Sequence, residues 1–152
     1  MKPFTSLLLP LAALVLPAIS LAGAPELEWN QERVAALARD LIEPLEALSA
    51  DVESRPAAPE QEAARVALKN DVELLQSRAK ALAQRLAGGA GRAETDALFR
   101  EVQTLQSKAI EQSRAFPPPF DMHVYTDRVQ RITIQLARYY GDSSDSGNGA
   151  HS

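Results

Sequence analysis

The chain has 152 residues, 45% of them hydrophobic and 24% charged, the balance of one soluble domain. A formal net charge of −4 and a pI near 5.2 oppose a nucleic-acid partner, whose phosphates need a basic face, and equally oppose a polybasic hold on anionic lipid. With no cysteine, disulfides, thiolate metal sites, covalently attached c-type haem and cysteine nucleophiles are excluded, so stability has to come from packing.

Lys2 gives a short positive start, and the apolar stretch Leu7 to Leu21 is broken by Pro10 and Pro17. Ser20-Leu21-Ala22 fits the small-x-small cleavage rule, so residues 1–22 read as a signal peptide cut after Ala22. A cut after Ala24 also fits but sets Pro25 beside the scissile bond. An uncleaved anchor is opposed by the two prolines and by a run shorter than the ~20 residues a spanning helix needs. No cysteine waits at the cut for a lipid, and no second long apolar run follows. The mature protein is expected in the periplasm or outside the cell, with no stable membrane insertion after cleavage.

In the mature chain Asn30 is placed to cap the first helix, with Trp29 ahead of it as a hydrophobic staple on Val34. The seam of that helix is Val34, Leu37, Leu41, Leu45, Leu48 and Val52. Pro44 lies inside it, removing one N–H and crowding the Asp40 carbonyl, so a kink is expected near mid-helix. After the connector Ser54 to Pro59, a run free of Gly and Pro carries Leu68, Val72, Leu75, Ala79, Leu82 and Leu86 at alternating steps of four and three. Gly88-Gly89-Ala90-Gly91 stops this second helix. The third begins between Gly91 and Thr95, with the seam Leu98, Val102, Leu105, Ala109 and Phe116, Gln112 intruding, and an Asp96–Arg100 pair on its surface. The segment Phe116-Pro117-Pro118-Pro119-Phe120 is a rigid elbow. Asp121 then opens a fourth helix with the seam Met122, Tyr125, Val129, Ile132, Leu136 and Tyr139.

Short connectors between helices of similar length favour antiparallel neighbours. The expected fold is all-α: an antiparallel up-down-up-down four-helix bundle over residues 23–141, preceded by the signal peptide. Residues 142–152, rich in Gly, Ser and Asp, are expected to form a disordered acidic tail.

The chemistry that this pattern permits is narrow. Haem-binding bundles clasp iron between a methionine and a histidine on different helices. Here Met122 and His123 are adjacent on one helix, and His151 belongs to the tail. A di-iron site needs interior Glu and His, whereas Glu43, Glu46, Asp71, Glu73, Glu101 and Glu111 fall on flanks or outer faces and Asp51 sits near the seam only in a terminal turn. Ser49, Ser77, Ser107 and Ser113 are helical, with no histidine placed to serve them. Neither a nucleophile elbow nor a phosphate-binding glycine loop occurs. No cofactor and no enzyme activity are expected. The one metal alternative is a surface zinc or copper site of His123 with Asp121 or Asp127.

Two features leave room for binding. In the antiparallel arrangement Trp29, Phe99, Tyr139 and Tyr140 gather at one end and Phe116, Phe120 and Tyr125 at the other, where rings either plug the bundle or frame a ligand mouth. A set of aliphatics also lies off the seams: Ile42, Leu74, Ile110, Val124 and, facing outward, Ile134. The reading that follows is an exported helical bundle acting through protein–protein contacts, as an envelope adaptor, scaffold or chaperone-like factor, with a protein partner or a second copy bound through Ile134. The alternative is a small-ligand binder with a cavity near Pro44 or at the Trp29 end.

Overall fold

The computed structural model describes residues 26–116 and 123–141, and of His123 the backbone only. The signal peptide, the tail with His151, and Phe120, Asp121 and Met122 lie outside the described residues. The described chain is all-helical: α1 (Gln31–Asp40), α2 (Ile42–Ser54), α3 (Glu62–Ala87), α4 (Arg92–Ser113) and α5 (His123–Tyr140), with no strand among the described residues. α1 and α2 are two parts of one arm, so the helices count as four.

Local chemistry sets each boundary. The Asn30 side chain accepts from the Arg33 N–H at 2.9 Å and starts α1. Leu41 keeps helical dihedrals and its N–H still donates to the Leu37 carbonyl at 3.2 Å. Pro44, however, has no N–H to offer the Asp40 carbonyl, and the arm is interrupted at Leu41 as that loss requires. Pro59 stands first in a 3-10 turn, Pro59–Gln61, that leads into α3. At the far end of α3, Gly89 takes φ +93° while its N–H donates to the Leu86 carbonyl and that of Ala90 to the Arg85 carbonyl. These two bonds, with the left-handed glycine, form a Schellman stop.

α3 packs on α1, α2 and α4, and α5 packs on α1, α2 and α4. Ion pairs run between neighbours: Glu46–Lys80 at 2.9 Å and Glu53–Lys69 at 3.1 Å between α2 and α3, and Arg78–Glu101 and Asp71–Lys108, both at 2.9 Å, between α3 and α4. In both sets residue numbers rise along one helix as they fall along the other. The core divides in two. The larger cluster holds Val34, Leu45, Leu82, Phe99, Leu136 and Tyr140 with their neighbours; the smaller is Leu48, Val52, Leu68, Val72 and Ala109, flanked by Phe116 and Tyr125.

The seams of the first arm and of α3 are buried as the spacing predicts. α4 and α5 each differ by one position at the same end. Thr95 and Phe99 are buried where the alternation starts at Leu98, which is half-buried, and Tyr140 is buried where it names Tyr139. The two differences have one cause: the Phe99 and Tyr140 rings stack on each other, centroids 4.3 Å apart, and draw both helices onto that contact. Asp71, expected on a flank or outer face, lies on the flank of α3 that meets α4 and is buried there. It is 8% exposed, whereas Asp51 is half-buried and paired with Arg55 at 2.9 Å.

Candidate functional site

At the end where α1 and α4 start and α3 and α5 finish, three rings meet. Tyr140 is stacked on Phe99 and meets Trp29 edge-on at a centroid distance of 5.3 Å. The Tyr140 hydroxyl lies 2.8 Å from that of Thr95, which also donates to the Gly91 carbonyl at 2.8 Å. Thr95 is thereby accommodated in an apolar interior, since each of its polar demands is met. Burial pushes the Tyr140 phenol up, outweighing the opposing effect of the Thr95 hydroxyl.

Helix-end carbonyls at this end are covered by side chains rather than left to water. Gln31 donates to the Leu86 and Ala90 carbonyls at 2.8 and 2.9 Å, and itself accepts from the Trp29 indole N–H at 3.0 Å. Arg92 donates to the Tyr140 carbonyl through Nε, at 3.0 Å, and through Nη2, and Arg100 donates to the Gly141 carbonyl at 2.9 Å. The Leu27 N–H donates to the Arg138 carbonyl at 2.7 Å, and Glu26 pairs with Arg92. Gly141 closes α5 at φ +72°, where a Cβ would run into the Arg92 and Glu26 side chains. With Phe99 fully buried and Tyr140 only 2% exposed, these rings offer no free face to a ligand. Trp29 and Tyr139 are half-buried and pack on the same cluster.

Four of the five candidate binding residues, Trp29, Phe99, Tyr139 and Tyr140, thus share one end, and the fifth, Ile134, stands apart on α5 at 55% exposure. Pro44 is buried. Two shallow depressions among the described residues are lined by Glu73, Gln76, Ser77, Lys80, Ala81 and Gln84 on α3, and by Arg85, Gly88, Gly89, Ala90 and Glu94 around the α3–α4 turn. Of the metal candidates, Asp127 is exposed, while Asp121 and the His123 side chain lie outside the described residues. Among the described residues no group of three His, Cys, Asp or Glu side chains is placed to hold a metal ion.

The titratable carboxylates with displaced protonation are on the surface. Glu46 is held below the usual carboxylate range by its hydrogen bond to Lys80 and by that charge, and Glu62 by its bond to Arg65. Asp71 is the carboxylate whose burial the sequence pattern does not show. Its Oδ1 accepts from Lys108 at 2.9 Å, and its buried Oδ2 has no protein partner. The usable signal was that it lies three residues after Leu68 and four before Leu75, on the flank of α3 that meets α4.

On the outside, the exposed large hydrophobics among the described residues are Val66 and Leu74 on α3 and Val124 and Ile134 on α5. No helix among the described residues is long and apolar enough to cross a membrane. Compared with known protein families, curated proteins and solved structures, the chain matches none.

Proposed function

We propose that the chain is an exported, antiparallel up-down-up-down four-helix bundle that acts through protein–protein contacts in the periplasm, as an envelope adaptor, scaffold or chaperone-like factor, and not as an enzyme. The observation that carries this reading is the contrast on α5. Its inner face ends in a Tyr140 ring sealed against Phe99 and Trp29, whereas its outer face displays Val124 at 69% and Ile134 at 55% exposure. In this reading they are the apolar points of a face of α5 that meets a partner. The titratable groups support the non-enzymatic part. The displaced carboxylates serve surface ion pairs, and the displaced phenol of Tyr140 is sealed from substrate. The opposed running of the ion-paired helices supports the up-down topology.

The test is site-specific photo-crosslinking from position 134 in exporting cells, with exposed Ser107 on α4 as the control position. A discrete adduct from position 134 and none from position 107 is expected. Equal background at both positions, together with a Trp29 emission change when the purified protein is stripped of native ligand, contradicts the contact reading and favours a ligand-binding bundle.

A further inference from the structure

Val124, Asp127, Arg131 and Ile134 follow one another at steps of three, four and three along α5. At 100° per residue these positions fall within an arc of about 80° on one side of the helix. All four are exposed. α5 therefore carries a second seam on the face turned away from its own core, with apolar residues at the ends and one charge of each sign between them. Asp127 and Arg131 have no ion pair among the described residues, unlike the neighbouring Arg128, which reaches Glu43 at 3.0 Å.

This order is palindromic in chemistry. If two α5 helices cross antiparallel about a two-fold axis level with Val129, each position below 129 faces the position equally far above it on the other copy. Val124 then meets Ile134 of the second copy, and Asp127 meets its Arg131; symmetry supplies both contacts twice. Three-four spacing is what lets two helices mesh along a seam, and a self-complementary patch is what a two-fold interface requires. A parallel pairing would instead set Asp127 on Asp127 and Arg131 on Arg131, which repel. We propose that the outer face of α5 is a homodimer interface of this antiparallel kind, the partner being a second copy of this chain. This rests on the contact-based reading above and names its partner. The seam is short, less than a standard interface buries, so the dimer is weak and reversible.

The test uses the mature chain, three variants and sedimentation velocity over a wide concentration range. The wild type is expected to show a concentration-dependent mass between monomer and dimer, lost in Ile134→Glu. Asp127→Arg places like positive charges opposite each other, and Arg131→Asp like negative charges, so each alone is expected to be monomeric. Mixed in equal amounts, the two become complementary, and dimer is expected to return at least tenfold above either alone. Retained helical content and melting temperature in each variant exclude misfolding as the cause. A wild-type dimer unaffected by Ile134→Glu, or a mixture that stays monomeric, overturns the α5 pairing. A strict monomer that still yields the position-134 crosslink to another protein overturns the homodimer and leaves the contact reading standing, whereas a strict monomer with no adduct overturns both.

Discussion

At the end closed by Trp29, Phe99 and Tyr140, rings fill the interior and side chains from α1 and α4 cover the last carbonyls of α3 and α5. At the other end the interior is aliphatic, Leu48, Val52, Leu68, Val72 and Ala109, with Phe116 and Tyr125 only half-buried beside it and a buried Asp71 oxygen left without a partner nearby on α3. Each end buries a side-chain atom without a hydrogen-bond partner, Arg138 Nε at the ring end and Asp71 Oδ2 toward the other, so what separates the ends is the stacked rings and the covered carbonyls. Tight closure at the ring end argues for structure there rather than ligand capture, and it moves the search for function to the outside of α5.

The largest expected effect is at the ring end. Phe99→Ala removes the stacked partner of Tyr140 from a fully buried site and should cost ~3–5 kcal/mol, read as a lower urea midpoint at unchanged slope. Leu68→Ala in the smaller cluster should cost nearer ~2 kcal/mol, the low side for such a change, because a cluster rimmed by half-buried rings can collapse onto the space. Equal losses at the two sites would remove the distinction between the ends. Asp71→Leu sharpens it from the other direction. Lys108 is well exposed and keeps its hydration, so exchanging a half-satisfied buried carboxylate for an apolar group should stabilise the fold by about 1 kcal/mol. A clear destabilisation would mean that the carboxylate holds something at its free oxygen.

The smallest expected effect is alkaline. The folded Tyr140 phenol keeps its proton above its ordinary value, so between the unfolded and folded pKa the native state binds more protons than the unfolded one. That contribution is complete below about pH 10 and is lost as pH rises through the folded value. Tyr140→Phe should flatten this part of the stability curve, and absorbance titration should show a late-ionising phenol in the wild type that is missing from Tyr140→Phe. An alkaline limb left unchanged by Tyr140→Phe would contradict the sealed hydroxyl pair.

The long seams were legible because leucine and valine at three-four spacing have only one comfortable place. Val34 to Val52 and Leu68 to Leu86 are buried as that rule requires, and Asn30, Pro44 and Gly89 act locally as their chemistry dictates. Adjacent candidates were harder to separate. Spacing alone does not choose between Leu98 and Phe99, or between Tyr139 and Tyr140, since the choice is made by a ring contact between residues 41 positions apart. The burial of Asp71 was not legible because a charged flank residue reads as solvated until its Lys108 partner on another helix is known. The outer seam of α5 was half legible. Val124 and Ile134 stand out as apolar, but Asp127 and Arg131 look like ordinary surface until the face they share is seen to be the one turned outward.

The most direct measurement is native mass spectrometry of the mature protein taken from the exported fraction. The expected spectrum contains bare chains, one or two per particle, with an N-terminus at Gly23 and nothing carried inside. An added mass of several hundred daltons that disappears on denaturation would contradict the sealed interior and make the inside of the bundle the functional site.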